Sequence, residues 1–117
     1  MWKIVTNDHF MNQQLIFPAA QPSVACIVRN AQKYDAVNKI VVFGSSITSA
    51  FSPVSDIDIM VEQADQKRYL LAKGCQRGVD YWRREDCDAA LLQEVEKNGV
   101  VVFERTGNSN FAAMLYE

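Results

Sequence analysis

Lys39-Ile40-Val41-Val42-Phe43-Gly44-Ser45 and Asp56-Ile57-Asp58-Ile59-Met60-Val61-Glu62, with ten residues between Ser45 and Asp56, decide how this chain is read. The first stretch is a short run of β-branched and aromatic residues closed by glycine, the pattern of a strand covered on both faces. The second alternates with period two. Ile57, Ile59 and Val61 therefore share one face, and Asp56, Asp58, Met60 and Glu62 the other, which predicts a strand with one wet edge.

Working outward, Val24, Ile27, Val28, Ala31 and Tyr34 recur at intervals of three and four, so Ser23–Val37 reads as an amphipathic helix started at Pro22-Ser23. Ile47–Phe51 has room for one or two helical turns before Ser52-Pro53 breaks them. Ala64–Lys73 reads as a helix stopped at Gly74, and Gly78–Trp82 as a third strand with Asp80 opposite in face to Val79 and Tyr81. Asp86–Asn98 reads as a helix with Leu91, Leu92 and Val95 as its core stripe and acidic residues near its start. Val100–Phe103 is a closing strand. One domain, 1–117, is expected: an N-terminal arm over 1–21, with a short strand at Trp2–Val5 and an apolar patch at Leu15–Phe17, a core over 22–105, and a tail over 106–117 ending in Phe111–Tyr116.

The chain has 117 residues, 49% hydrophobic and 22% charged, which is the composition of a globular domain large enough to bury a core. Twelve Lys and Arg against 14 Asp and Glu give a net charge of −2, so no global field gathers nucleic acid. Cys26, Cys75 and Cys87 form no C-x-x-C pair, and His9 has no neighbouring ligand, which excludes a zinc site. The scattered thiols suit a reducing interior and read as small apolar side chains. With no leader-like segment and no run of roughly 20 apolar residues, the expected location is cytoplasmic, without a membrane.

Two carboxylates at i and i+2 of a strand point the same way with Cα atoms about 6.7 Å apart. Both can reach a pair of Mg²⁺ ions that sit about 3.5–4 Å apart. A hard cation takes oxygen ligands and keeps open positions for substrate phosphates, so a third carboxylate on a neighbouring strand, Asp80, completes a phosphoryl or nucleotidyl transfer site. Gly44 permits close backbone approach to a phosphate, and Ser45 adds a hydroxyl donor. Alone, Gly-Ser is an ordinary turn and Asp-x-Asp a solvated strand face. Two like charges on one face repel, however, and a metal between them removes the conflict.

Together, Phe43-Gly44-Ser45, Ser55-Asp56-Ile57-Asp58-Ile59 and Val79-Asp80-Tyr81 resemble the minimal nucleotidyltransferases of the DNA polymerase β superfamily, over residues 23 to about 105. The resemblance implies an α/β (α+β) nucleotidyltransferase fold, a small mixed sheet with helices packed mainly on one side. It implies transfer of a nucleoside monophosphate, AMP from ATP, to a hydroxyl. In that reading Asp56, Asp58 and Asp80 are catalytic and hold two Mg²⁺ ions, while Gly44, Ser45 and Ser46 bind the triphosphate. It further implies a toxin–antitoxin setting with a small helical HEPN-type protein as partner and acceptor; a homo-oligomer is also open, and nucleic acid is less favoured. Many relatives carry an arginine directly after Gly-Ser, where this chain has Ser46-Ile47-Thr48-Ser49-Ala50, so a cation would have to come from Lys73, Arg77, Arg83 or Arg84. The competing expectations are an inactive transferase-like binding module and a nucleotide sensor that binds without turnover.

Overall fold

The computed structural model describes residues 1–105. The Phe111–Tyr116 segment and the rest of the expected tail lie outside the described residues. Four strands, β1 (Val37–Phe43), β2 (Ile57–Gln63), β3 (Val79–Arg83) and β4 (Val100–Glu104), form one sheet in the order β3-β2-β1-β4. β1 runs antiparallel to both β2 and β4, and β3 runs parallel to β2, so the sheet is mixed as expected. The helices are α1 (Gln21–Ala31) and α2 (Ala89–Asn98).

The period-two alternation of the strands makes two cores. Ile40, Val42, Ile57, Ile59 and Val61 face α1, meeting Val24, Ile27, Val28 and Ala31 together with Ile16 and Ala20 of the arm. On the reverse face Val41, Phe43 and Met60 meet Val95, flanked by Leu91 and Leu92. The bulk of the packing thus lies on one side, while α2 covers part of the other. Met60, which the alternation assigns to the wet side, is buried by that helix.

The helix expected over Ser23–Val37 ends at Ala31, where the backbone tightens into i→i+3 turns, Lys33 N to the Asn30 carbonyl and Tyr34 N to the Ala31 carbonyl, that a distant residue pins. Arg105 donates from Nη2 to the Ala31 and Tyr34 carbonyls, at 3.2 and 3.0 Å, and from Nε to the Val37 carbonyl at 3.1 Å. The Ala31 and Tyr34 carbonyls also accept from Tyr34 N and Val37 N, at 3.1 and 3.0 Å, so the guanidinium reinforces the tight turns that follow the helix. α2 starts at Ala89 rather than Asp86. Arg83 clamps Asp86 with two hydrogen bonds in a short 3-10 turn, leaving Asp88 as N-cap, its carboxylate accepting from Leu91 N at 2.8 Å.

The helix expected over Ala64–Lys73 is not formed. The Asp65 carboxylate accepts from Lys67 N and Gln63 Nε2, both at 3.1 Å, and from the Tyr69 hydroxyl, so side chains compete with a backbone ladder from its first turn. α1 then pins the segment: Asn30 Nδ2 donates to the carbonyls of Leu71 at 2.7 Å and Lys73 at 2.9 Å. The strand expected at Trp2–Val5 is likewise absent. Buried Gln21 bonds that stretch instead, accepting from Val5 N at 2.8 Å and donating to the Lys3 carbonyl at 2.7 Å.

Cys26 on α1 and Cys75 on the 64–78 loop are joined by a disulfide, which corrects the expectation of three separate thiols; among the described residues Cys87 is free. The sequence distance of 49 residues hid a pair that folding brings together. In the chain-entropy model a loop of that length contributes about 4 kcal/mol by restricting the unfolded state. Cys75→Ser is expected to lower the urea unfolding free energy by about 2–4 kcal/mol, and Cys87→Ser by no more than about 0.5 kcal/mol. Equal values for the two variants would show that the bridge carries no stability.

Candidate active site

Strand register brings the acidic residues together. Phe43 on β1 pairs with Asp58 on β2, and Asp58 pairs with Asp80 on β3. Parallel neighbours lie about 4.8 Å apart, and paired residues share a face, so the two carboxyls meet on the side of the sheet that α2 leaves partly open. The Asp58 carboxyl is half-buried and pushed up to about 6, first by burial, then by a hydrogen bond with Asp80, by the Asp80 charge and by the Asp56 charge. A short contact between two carboxyls needs either a shared proton or a cation.

Gly44 closes the site from the β1 side. Its φ of +73° is left-handed, and a Cβ there would lie 2.3 Å from Asp58 Oδ2, so both the turn and the space require glycine. The helical turns expected at Ile47–Phe51 are replaced by a 3-10 turn over Gly44–Ile47, one step earlier. Ser45 is half-buried beside Gly44. Ser46, expected to bind nucleotide, is fully buried with no partner for its Oγ, and its carbonyl accepts from Phe17 N of the arm at 2.8 Å.

Asp56 lies at the mouth of the site, before β2, and leans on Gly78, where a Cβ would come within 3.0 Å of its Oδ1. Asp58 and Asp80 therefore touch each other while Asp56 reaches them through its charge. Among the described residues no three His, Cys, Asp or Glu side chains converge as a ready cage. The Asp58–Asp80 pair has the chemistry of an oxygen-preferring cation site, and Asp56 stands at its mouth against Gly78.

Of the candidate cations, three are engaged. Arg77 donates from Nη1 to the carbonyls of Ser52, Pro53 and Ser55, at 2.9, 3.0 and 3.0 Å, and lies 4.4 Å over the Phe51 ring. It holds the loop that delivers Asp56. Arg83 is paired with Asp86, and Arg84 lies 3.6 Å from Glu62. The sequence reading missed Lys97. This lysine, in the last turn of α2, lines a cavity of about 690 Å³ with Trp2, Gln14, Gly44, Thr48 and Asn98. The cavity abuts Gly44 and has the size of a small-molecule site. A lysine at a helix end signals only dipole pairing in sequence; its place beside Gly44 is a product of how α2 and the arm pack.

The family model described as Polymerase beta, Nucleotidyltransferase matches residues 26–108. Two solved structures similar in fold are mutants of the toxin-antitoxin MntA-HpeT. One matches with 20% identity and a TM-score of 0.54 over 70% of this chain and 71% of that chain. The other matches with 24% identity and a TM-score of 0.50 over 70% of each. Among curated proteins none matches significantly.

Because the folded Asp58 carboxyl titrates near 6 instead of its ordinary 3.8, the native state binds more protons than the unfolded chain between those values. Stability of the metal-free protein therefore falls as pH rises from about 4 to about 6 and stays lower above it. Asp58→Asn is expected to raise the unfolding free energy at pH 7.5 by about 1 kcal/mol, the full shift being discounted for half exposure, and to leave it unchanged near pH 3.5. Denaturant titrations without divalent metal check this, and equal stability of the two proteins at pH 7.5 counts against the like-charge pair.

Proposed function

This chain belongs to the Polymerase beta, Nucleotidyltransferase family, and from that premise we propose that it transfers AMP from ATP to a hydroxyl on a partner protein. The observation that carries the reading is the pairing of Asp58 with Asp80 across β2 and β3, with Gly44 packed against it. The fold neighbours come from a toxin-antitoxin structure, which supports a protein partner, and we assign that partner the small helical HEPN-type architecture. Among the described residues no helix is long and apolar enough to cross a membrane.

Asp58 and Asp80, joined by Asp56, would hold two Mg²⁺ ions, which supply Lewis-acid stabilisation of the charge on the phosphoryl oxygens. The remaining work falls to the chain. Backbone N–H groups of the Gly44–Ile47 turn and the Ser45 hydroxyl orient the triphosphate. The cavity beside Gly44 receives the nucleoside against Trp2, with Lys97 and Glu94 both in its lining. Asp80 takes the proton of the acceptor hydroxyl as its oxygen bonds the α-phosphorus. The bond from that phosphorus to the bridging oxygen breaks, and pyrophosphate leaves.

A second reading is favoured by one observation: Arg77, Arg83 and Arg84 are held in other contacts, so the Gly44 turn lacks a neighbouring arginine. In that case the protein is a nucleotide sensor or an inactive binding module. Transfer of label from α-³²P-ATP, with Mg²⁺, to a co-purified partner separates the readings. Asp58→Asn and Asp80→Asn are each expected to lower labelling about 10²–10³-fold with the fold intact. ATP binding without label identifies the sensor. Partner binding that persists without nucleotide and is unchanged by Asp58→Asn identifies the module.

A further inference from the structure

The sheet has two edges, and they are treated differently. At β4 the arm crosses the edge, Asn12 Nδ2 donating to the Val101 carbonyl at 2.8 Å. At β3 the Gly78 carbonyl faces inward to Ile57 N at 3.0 Å. The alternation of a strand then turns the backbone groups of Asp80 and Trp82 towards β2, and those of Val79, Tyr81 and Arg83 outward. Among the described residues, the hydrogen bonds reaching that outer side come from side chains: Arg68 Nη1 to the Tyr81 carbonyl at 2.9 Å, and the Cys87 thiol to the Arg83 carbonyl at 3.5 Å. An unpaired row of this kind templates a further strand.

A cavity of about 290 Å³ runs along this edge, lined by Arg68, Val79, Asp80, Tyr81 and Trp82. The acidic pair therefore opens directly onto the edge. Trp82 is 39% exposed and, two residues beyond Asp80, lies on the same face. The larger cavity abuts Gly44 at the far side of the acidic pair, so the strand order lays out a cavity, the carboxylates and an open edge in sequence.

We propose that the outer edge of β3 is the docking site of the acceptor: an extended, hydroxyl-bearing segment of the partner protein adds to the sheet as a strand beside Val79–Arg83. This rests on the transferase reading above. In an added strand the residue opposite Asp80 has its Cβ about 5 Å away, so a Ser, Thr or Tyr hydroxyl there meets the Asp80 carboxyl. The residue two positions along faces Trp82, which selects an apolar or aromatic side chain. Arg68 occupies the place of the incoming amide at the Tyr81 carbonyl, with its guanidinium 5.2 Å over the Tyr81 ring, and shields the edge until the segment displaces it.

The test uses the full chain, Mg²⁺, a non-hydrolysable ATP analogue for binding and α-³²P-ATP for transfer. The probe is a library of fluorescent nonapeptides with a central Tyr, Ser or Thr, and the best binder is then N-methylated at each backbone position in turn. Strand addition is expected to give a period of two, with alternate methyl groups weakening binding at least about tenfold and the intervening ones leaving it unchanged. Val79→Pro, which removes one outward N–H, is expected to bind the peptide about tenfold more weakly than Val79→Ala, with equal ATP affinity. Arg68→Ala, an exposed change that preserves the fold, is expected to bind it about two- to fivefold more tightly. Absence of any binder, absence of the period, or weaker binding by Arg68→Ala would overturn the docking site. Transfer without the period removes the docking proposal alone, whereas periodic binding without transfer removes the transferase reading and, with it, the acceptor role of the docked strand.

Discussion

Two carboxyls that ought to repel are held side by side by a parallel strand pair, and the rest of the site is arranged around that conflict. Asp58 is placed opposite Asp80 by the β2–β3 register and pressed from the other side by the backbone of Gly44. Neither backbone position can shift without breaking a ladder whose reverse face is the main core, to which Ile57 and Ile59 belong. The core thus supplies the energy that keeps a like-charge pair together. Burial first, and the neighbouring acids after it, push the Asp58 carboxyl up, and a cation or a proton relieves the conflict.

Around the pair, single side chains do what longer secondary structure does elsewhere. Arg77 gathers three carbonyls of the 52–55 loop and so sets where Asp56 enters β2. Arg105 closes the end of α1, Asn30 and the Cys26–Cys75 bridge hold the 64–78 loop, and Gln21 holds the arm. Among the described residues two α-helices cover a four-stranded sheet, and these pins let irregular backbone complete the enclosure. The same economy brings the arm to the cavity that abuts Gly44, which Trp2 and Gln14 line.

The sheet is also asymmetric from side to side. β1 leads into the glycine turn and its cavity, β2 carries Asp58, and β3 carries its partner Asp80 and presents the backbone groups of alternate residues outward. In-line transfer requires donor and acceptor on opposite sides of the transferred group, and strand order alone provides two sides. The partial cover of α2, which buries Met60 yet leaves Asp80 exposed, keeps the β3 side of the acidic pair open.

The sequence by itself determined the strands and the motif, because periodicity is local: alternation through Asp56–Glu62 fixed which face each aspartate takes, and a glycine after Phe43 marked the turn. It also placed Asp80 opposite in face to its apolar neighbours, and the register joined it to Asp58 as the motif required. It misread Ala64–Lys73 as a helix, since helical spacing there is outweighed by the Asp65 and Asn30 hydrogen bonds, partners set by folding. Only the tertiary structure decided that Cys26 meets Cys75, that Arg77 serves a loop, that Ser46 is buried and that Lys97 stands near Gly44. These are contacts between distant segments, and no local spacing encodes them; they follow from how the two faces of one sheet are covered.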